Sequence, residues 1–197
     1  LVLRRQRQMC IRDRYSMSGF RPTFFIPLIA FIVLAAIGGL ALQGTLSGSR
    51  NPNQLPSVLI GKSAPDLPLP LLQNGQAELA LSTYRGQAFL VNFFASWCAP
   101  CRAEAPALEQ LSKHISIIGI AYKDRPQDTM KFLQQYGNPF VAIGRDDDGR
   151  AGMAWGVYGV PETYLIDASG QIKWRHAGPL TRDVITTQLL VQMAEIQ

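Results

Sequence analysis

The chain has 197 residues, 47% of them hydrophobic and 17% charged, with a formal net charge of +5, two histidines and three cysteines. This length fits one domain plus an appendage, and three cysteines are too few for the disulfide framework of a small secreted domain. Six of the 19 basic residues and one of the 14 acidic ones precede the first long apolar run, so 13 of each remain beyond it and the near-neutral body does not argue for a nucleic-acid partner.

The chain opens at Leu1, and Met17-Ser18-Gly19-Phe20-Arg21 reads as a cleaner start. Residues 1–16 are therefore taken as a non-native leader with no assigned function, and Cys10 within them as a lone cysteine. Phe24–Leu42 follows, 19 residues without a charge, the length of a membrane-crossing helix. Pro27, Gly38 and Gly39 are tolerated in such a helix. The arginines precede the run and the next lies at Arg50, which places the N-terminus in the cytoplasm. Without residues 1–16, Arg21 alone carries that argument. A cleaved signal peptide is the competing reading, although no clear small-x-small site follows Leu42.

Gln43–Pro56, rich in Gly, Ser, Asn and Pro, reads as a linker. The segments expected are thus a leader over 1–16, a start and anchor over 17–43, a linker over 44–58 and a folded domain over 59–197. The prolines of Gly61–Pro70 predict extended chain. A short strand pair is expected around Leu71–Leu81, turning at Asn74-Gly75. Phe89–Phe94 reads as a fully apolar strand, Ala99–Ser112 as a helix kinked at Pro106, and Ile115–Ala121 as the next buried strand. Gln127–Tyr136 predicts a helix, Phe140–Ile143 a short strand, Asp146–Gly149 a turn and Met153–Tyr158 a brief helix. Thr163–Ile166 and Ile172–Arg175 form a hairpin about Asp167–Gly170. Thr181 caps a closing helix to Ile196, with Asp183 in its first turn. Alternating strands and helices ending in a hairpin predict an α/β fold, a mixed central sheet with helices on both faces.

Between the first apolar strand and the following helix stands Trp97-Cys98-Ala99-Pro100-Cys101. Two thiols three positions apart at a helix start can close a small disulfide with little rearrangement. The first sulfur meets the positive end of the helix dipole, which favours thiolate. A zinc site would need two more ligands at suitable spacing, and His114 and His176 stand singly.

The order of elements, with Trp-Cys-x-x-Cys at a strand–helix junction, resembles the thioredoxin superfamily. More narrowly the chain resembles the membrane-anchored DsbE/CcmG family of thiol-disulfide oxidoreductases of cytochrome c biogenesis. Four segments carry this: Gly61–Pro65, Ala95–Glu104, Ala121-Tyr122-Lys123-Asp124, and Gly156–Asp167 with its Gly-Val-Pro-Glu-Thr stretch. The likeness covers about residues 59–197. It implies a thioredoxin-like fold behind an N-terminal transmembrane helix, with the C-terminal domain in the periplasm of a bacterial inner membrane.

On that likeness Cys98, expected to be the more exposed sulfur, is the nucleophile, and Cys101 resolves the mixed disulfide. Pro100 shapes the helix start, and Trp97 forms an aromatic wall beside the sulfur. Pro161 matches a cis-proline facing the disulfide, and the backbone of Val160 is expected to pair with an incoming peptide. Glu104 and Glu162 are placed near the dithiol as proton acceptors, with Asp124 a weaker third. The plainer alternatives are a solvated helix residue for Glu104 and a partner contact for Glu162. Acids beside a thiol raise its pKa and favour a reductant. No cofactor beyond the dithiol and no metal are expected.

The function implied is reduction of disulfides in apocytochrome c or in a thiol protein of cytochrome c assembly. The chain shows no nucleotide or flavin fingerprint, so the electrons are expected from a transmembrane donor of the DsbD or CcdA kind. The alternatives are a general extracytoplasmic reductase, an oxidase of the same fold, and a membrane-tethered module that binds apoprotein without catalysis.

Overall fold

The computed structural model describes residues 25–46, 58–73 and 77–196. The expectations for residues 1–16, for Cys10 and the basic arm, for most of the linker and for the Asn74-Gly75 turn lie outside these residues.

The chain divides into two compact units. The described element of the first is helix α1 (Ile26–Leu46), of 21 residues. From Ile26 to Leu42 its large apolar side chains are exposed, and by length and composition it can cross a membrane. It runs past the expected end at Leu42, since no charge or proline follows before Arg50.

The second unit begins with a small antiparallel pair, β1 (Leu69–Pro70) and β2 (Glu78–Leu79), and a 3₁₀ turn at Leu81–Tyr84. Then come β3 (Phe89–Phe94), α2 (Ala99–Leu111), β4 (Ser116–Tyr122), α3 (Pro126–Tyr136) and β5 (Ala142–Asp146). They are followed by α4 (Arg150–Trp155) and the hairpin β6 (Glu162–Ile166) and β7 (Ile172–Ala177). The chain closes with α5 (Arg182–Val184), a π-helical segment Ile185–Leu189 and α6 (Leu190–Glu195). The five long strands form one sheet in the order β5-β4-β3-β6-β7. β3, β4 and β5 are parallel, while β6 runs antiparallel to β3 and to β7. This is the mixed sheet flanked by helices that the order of elements predicts.

Strand alternation divides the core between the two faces. Leu90, Phe94, Ile117 and Leu165 face α2, α3 and the closing helix, with Leu108, Phe132 and Leu189 packed on them. Val91, Phe93, Ile118, Tyr164 and Ile166 face the other way, covered by Leu79, Leu81 and Trp155. All six residues of β3 are buried, five of them apolar, as expected of a central strand.

Several boundaries differ from expectation. The short pair starts at Leu69, before Leu71, and Leu71 bridges to Gly144 on β5. Gly144 permits the approach, because a Cβ there would sit 2.8 Å from Leu79 Cδ2. β5 begins at Ala142, two residues after the expected Phe140. Phe140 instead stacks on Phe94 at 4.6 Å, over Gly119, where a Cβ would lie 2.9 Å from both rings. Asp146 ends β5 rather than opening a turn, and its carboxylate accepts from the backbone amides of Ala151 (3.0 Å) and Gly152 (2.8 Å). That cap starts α4 at Arg150, three residues before Met153, and left-handed Gly156 stops it after Trp155, short of Tyr158. β7 runs on to Ala177 because Thr163 and Glu162 continue to pair with His176 and Ala177.

Candidate active site

The end of β3 delivers the chain through Ala95-Ser96-Trp97 to Cys98, which takes the N-cap position of α2 with extended backbone. The Cys101 backbone amide donates to Cys98 Sγ at 3.1 Å. A sulfur thus fills the place of a capping side-chain oxygen, and a negative charge there meets an amide hydrogen and the helix dipole together. Cys98 and Cys101 are joined as a disulfide with their Cα atoms 5.3 Å apart. Exposure barely distinguishes them: Cys98 is 3% exposed and Cys101 2%, so the expectation of a more exposed Cys98 has little content. The cap singles out Cys98. Pro100 lies in the first turn, where its missing amide leaves no hydrogen bond unmade.

Two loops brace this turn. Trp97 is 59% exposed, and its indole nitrogen donates to the Lys123 carbonyl at 3.3 Å. Lys123 holds a left-handed backbone with φ of 46°. The Asp124 carboxylate accepts from the Ser96 amide (2.7 Å), the Ser96 hydroxyl (2.8 Å), the Thr129 hydroxyl (2.9 Å) and the Arg125 amide (3.0 Å). Asp124 is therefore occupied in tying the β4–α3 loop to the residues just before the dithiol.

Opposite the disulfide, the Val160–Pro161 peptide bond is cis and Pro161 is buried. The Val160 carbonyl oxygen lies 3.4 Å from Cys98 Sγ and can accept the proton of a reduced Cys98 thiol. Gly178 donates to the Pro161 carbonyl at 2.9 Å and holds the far side of the bend.

The two candidate acids lie on opposite faces of the sheet. Glu104, on α2, is 1% exposed. One of its oxygens accepts from Asn92 Nδ2 at 3.1 Å and the other from the Leu180 amide at 2.8 Å. Burial pushes its carboxyl up to about 7 against these two hydrogen bonds. Such a group can take up a proton near neutral pH.

Glu162 pairs across β3 with Phe93 and so belongs to the other face. It is fully buried in an ion pair with the Arg175 guanidinium. Its other contacts are the Tyr164 hydroxyl at 2.9 Å and the Tyr158 amide at 3.2 Å. The Arg175 guanidinium also lies 4.9 Å from the centre of the Tyr158 ring. Burial and the Glu162 charge raise the Tyr164 phenol above its ordinary range. Glu162 thus grips the loop that carries Val160 and Pro161.

Sequence reading missed Asn92, Thr163 and Arg175. Asn92 had a signal, being the one polar residue in an otherwise apolar strand. Arg175 had none short of the hairpin register. Among the described residues no three His, Cys, Asp or Glu side chains gather as metal ligands. His114 is exposed, and His176 is stacked on Trp174 at 5.7 Å.

Comparison with known proteins agrees with this geometry. The redoxin family model matches residues 59–189. The thiol:disulfide interchange protein HelX of Rhodobacter capsulatus is 41% identical over 171 residues, covering 86% of this chain and 94% of the relative. CycY of Rhizobium leguminosarum bv. viciae, another thiol:disulfide interchange protein, is 39% identical, over 79% of this chain and 84% of its own length. A crystal structure of a Chlorobium tepidum protein assigned to DsbE superposes with a TM-score of 0.61 at 29% identity, over 71% of this chain and 99% of that one. A thiol-disulfide oxidoreductase of Bacteroides fragilis shares the fold at a TM-score of 0.57 and 22% identity, over 66% of this chain and 98% of its own. With its strand–helix dithiol and its thioredoxin-like sheet, the chain belongs to the DsbE family of thiol:disulfide interchange proteins, within the redoxins.

Proposed function

We propose that the protein is a reductant anchored in a bacterial inner membrane by α1. Its domain lies in the periplasm, and it acts on disulfides of apocytochrome c or of a cytochrome c assembly thiol protein. The observation that carries the chemistry is the Cys98 sulfur at the N-cap of α2, held by the Cys101 amide at 3.1 Å.

In the reduced protein the Cys98 thiolate attacks one sulfur of the substrate disulfide. A mixed disulfide forms, and the other substrate sulfur leaves as a thiolate that takes a proton from solvent. Cys101 then gives its proton to Glu104, three residues further along α2, and attacks Cys98 Sγ. The second substrate thiolate departs, the Cys98–Cys101 disulfide remains, and two electrons have passed to the substrate. A membrane dithiol donor of the DsbD or CcdA kind returns the two electrons. Trp97 and the Val160 backbone offer the surface for an extended substrate peptide, the latter by strand addition. Glu162 serves that surface by holding the Tyr158–Pro161 loop.

A strain carrying Cys98→Ser is expected to lose holocytochrome c and to regain it with added small-molecule thiol. Normal holocytochrome c without thiol overturns the reading. Redox equilibration of the protein with glutathione separates reductant from oxidase: the expected potential is nearer the roughly −270 mV of a thioredoxin than the roughly −120 mV of a strong periplasmic oxidant.

A further inference from the structure

Asn92 is fully buried on the α2 face of β3, where Gly119 of β4 and Thr163 of β6 are its register partners. Its Nδ2 donates to Glu104 Oε1 at 3.1 Å and to Thr163 Oγ1 at 3.0 Å. Its Oδ1 is buried without a hydrogen-bond partner. A buried, unsatisfied amide oxygen costs free energy and calls for an explanation.

The donor and acceptor inventory supplies one. Glu104 Oε2 faces the Leu180 backbone amide, which can only donate, so Oε2 remains an acceptor in either charge state. The Leu180 donor thus favours Oε1 as the seat of a proton on Glu104, where it faces Asn92 Nδ2. Two donors would meet head-on. A half-turn of the Asn92 amide removes the conflict by bringing Oδ1 to that side. Oδ1 has two lone pairs and can accept from both Glu104 Oε1–H and the Thr163 hydroxyl. Nδ2 then takes the unpartnered place that Oδ1 held. Each orientation makes two hydrogen bonds and strands one atom, so the charge on Glu104 decides between them.

We propose that Asn92 is a positioning residue whose side-chain amide turns over with the charge on Glu104, linking a proton taken up beside the dithiol to β6 at Thr163, two residues beyond Pro161. This rests on Glu104 as the proton acceptor of the dithiol. The other titratable groups on surrounding elements are few. Cys98 and Cys101 belong to the start of α2. His176 of β7 is in register with Thr163, and burial holds it below its usual range. α3 and the closing helix turn Phe132, Leu133 and Leu189 to this face.

The test is nuclear magnetic resonance on the full-length protein in detergent micelles, labelled with ¹⁵N-asparagine and titrated from about pH 5 to about pH 9, either side of the Glu104 midpoint near 7. The Asn92 side-chain amide protons are expected to keep their contact with Thr163 at high pH and to lose it as the pH falls, in one transition sharing the midpoint of the Glu104 carboxyl. In Glu104→Gln, whose amide donates as a protonated carboxyl does, Asn92 is expected to keep its low-pH pattern throughout. Asn92→Leu, which removes the donor to ionised Glu104, is expected to raise the Glu104 midpoint by about one unit, the measure of one lost charge-assisted hydrogen bond. An Asn92 pattern unchanged across the Glu104 transition overturns the proposal, and that measurement needs no variant to fold. The acceptor reading fails separately, if Glu104→Gln resolves mixed disulfides at the normal rate while the Asn92 amide still turns in the unaltered protein.

Discussion

Cys98 and Val160 stand 62 positions apart in the chain, yet the Cys98 sulfur lies 3.4 Å from the Val160 carbonyl oxygen. On its other side the sulfur receives the Cys101 amide at 3.1 Å. A thiolate is supported by the amide and opposed by the carbonyl lone pairs, while a thiol can donate to the carbonyl. The sulfur therefore sits between one contact that favours each protonation state, and the Val160 contact exists because β6 and the cis bend bring that residue to the end of β3.

The division of labour between the sulfurs follows from the cap. Cys101→Ser should form a mixed disulfide with a substrate and fail to resolve it, whereas Cys98→Ser should form none. Non-reducing electrophoresis and mass spectrometry of the captured peptide read both. A mixed disulfide on Cys101 in the Cys98→Ser protein reverses the assignment.

The buried carboxyl of Glu104 gives stability a pH dependence of known sign. Its ordinary value is 4.5 and the folded value is about 7, so between these the folded state binds more protons than the unfolded. Stability from this group is therefore greatest below about pH 4.5 and declines as pH rises to about 7. Glu104→Gln should flatten that slope and be more stable than the parent at pH 8 by on the order of 3 kcal/mol, with the gap closing by about pH 4.5. Urea unfolding at several pH values checks it, and parallel curves for the two proteins would contradict it.

Arg175 and Glu162 should be costly to separate and much cheaper to remove together. Arg175→Met leaves the Glu162 charge buried and is expected to cost about 3–5 kcal/mol. Adding Glu162→Gln should recover more than half of that loss, because no uncompensated charge remains. Denaturant unfolding of the two single variants and the double variant gives the coupling.

Asp124 gathers four donors at one part-buried carboxylate. Asp124→Ala is expected to lower stability by about 2 kcal/mol, the size of a few unmet hydrogen bonds partly replaced by water. Asp124→Asn should cost roughly half as much. Loss of the brace at Ser96 should also loosen Trp97, seen as a red shift of tryptophan emission in the folded protein.

Much of the fold was legible because its signals are local. The apolar run of β3, the cysteines at the helix start and the cap at Thr181 each depend on a few neighbouring residues. The offsets fell where tertiary contacts decide. Phe140 looks like a strand residue and is a core ring stacked on Phe94. Asp146 looks like a turn former and is a helix cap. At the site, the dithiol and Pro161 were readable from spacing and resemblance. The separation of Glu104 from Glu162 was not, because it depends on which face each residue takes, and that is settled by register with β3. Arg175 stayed hidden for the same reason: it reaches Glu162 only through the hairpin pairing.

The sheet between Glu104 and Glu162 acts as a partition. One face holds the group proposed to carry protons, and the other holds the group that shapes the loop proposed to face the peptide. Among the described residues the two share no hydrogen-bond partner, so the stability costs of changing them should sum. Proton handling is then tuned mainly through α2 and the shape of the loop through the β6–β7 hairpin, and β6, which carries both Thr163 and Glu162, is where the two meet.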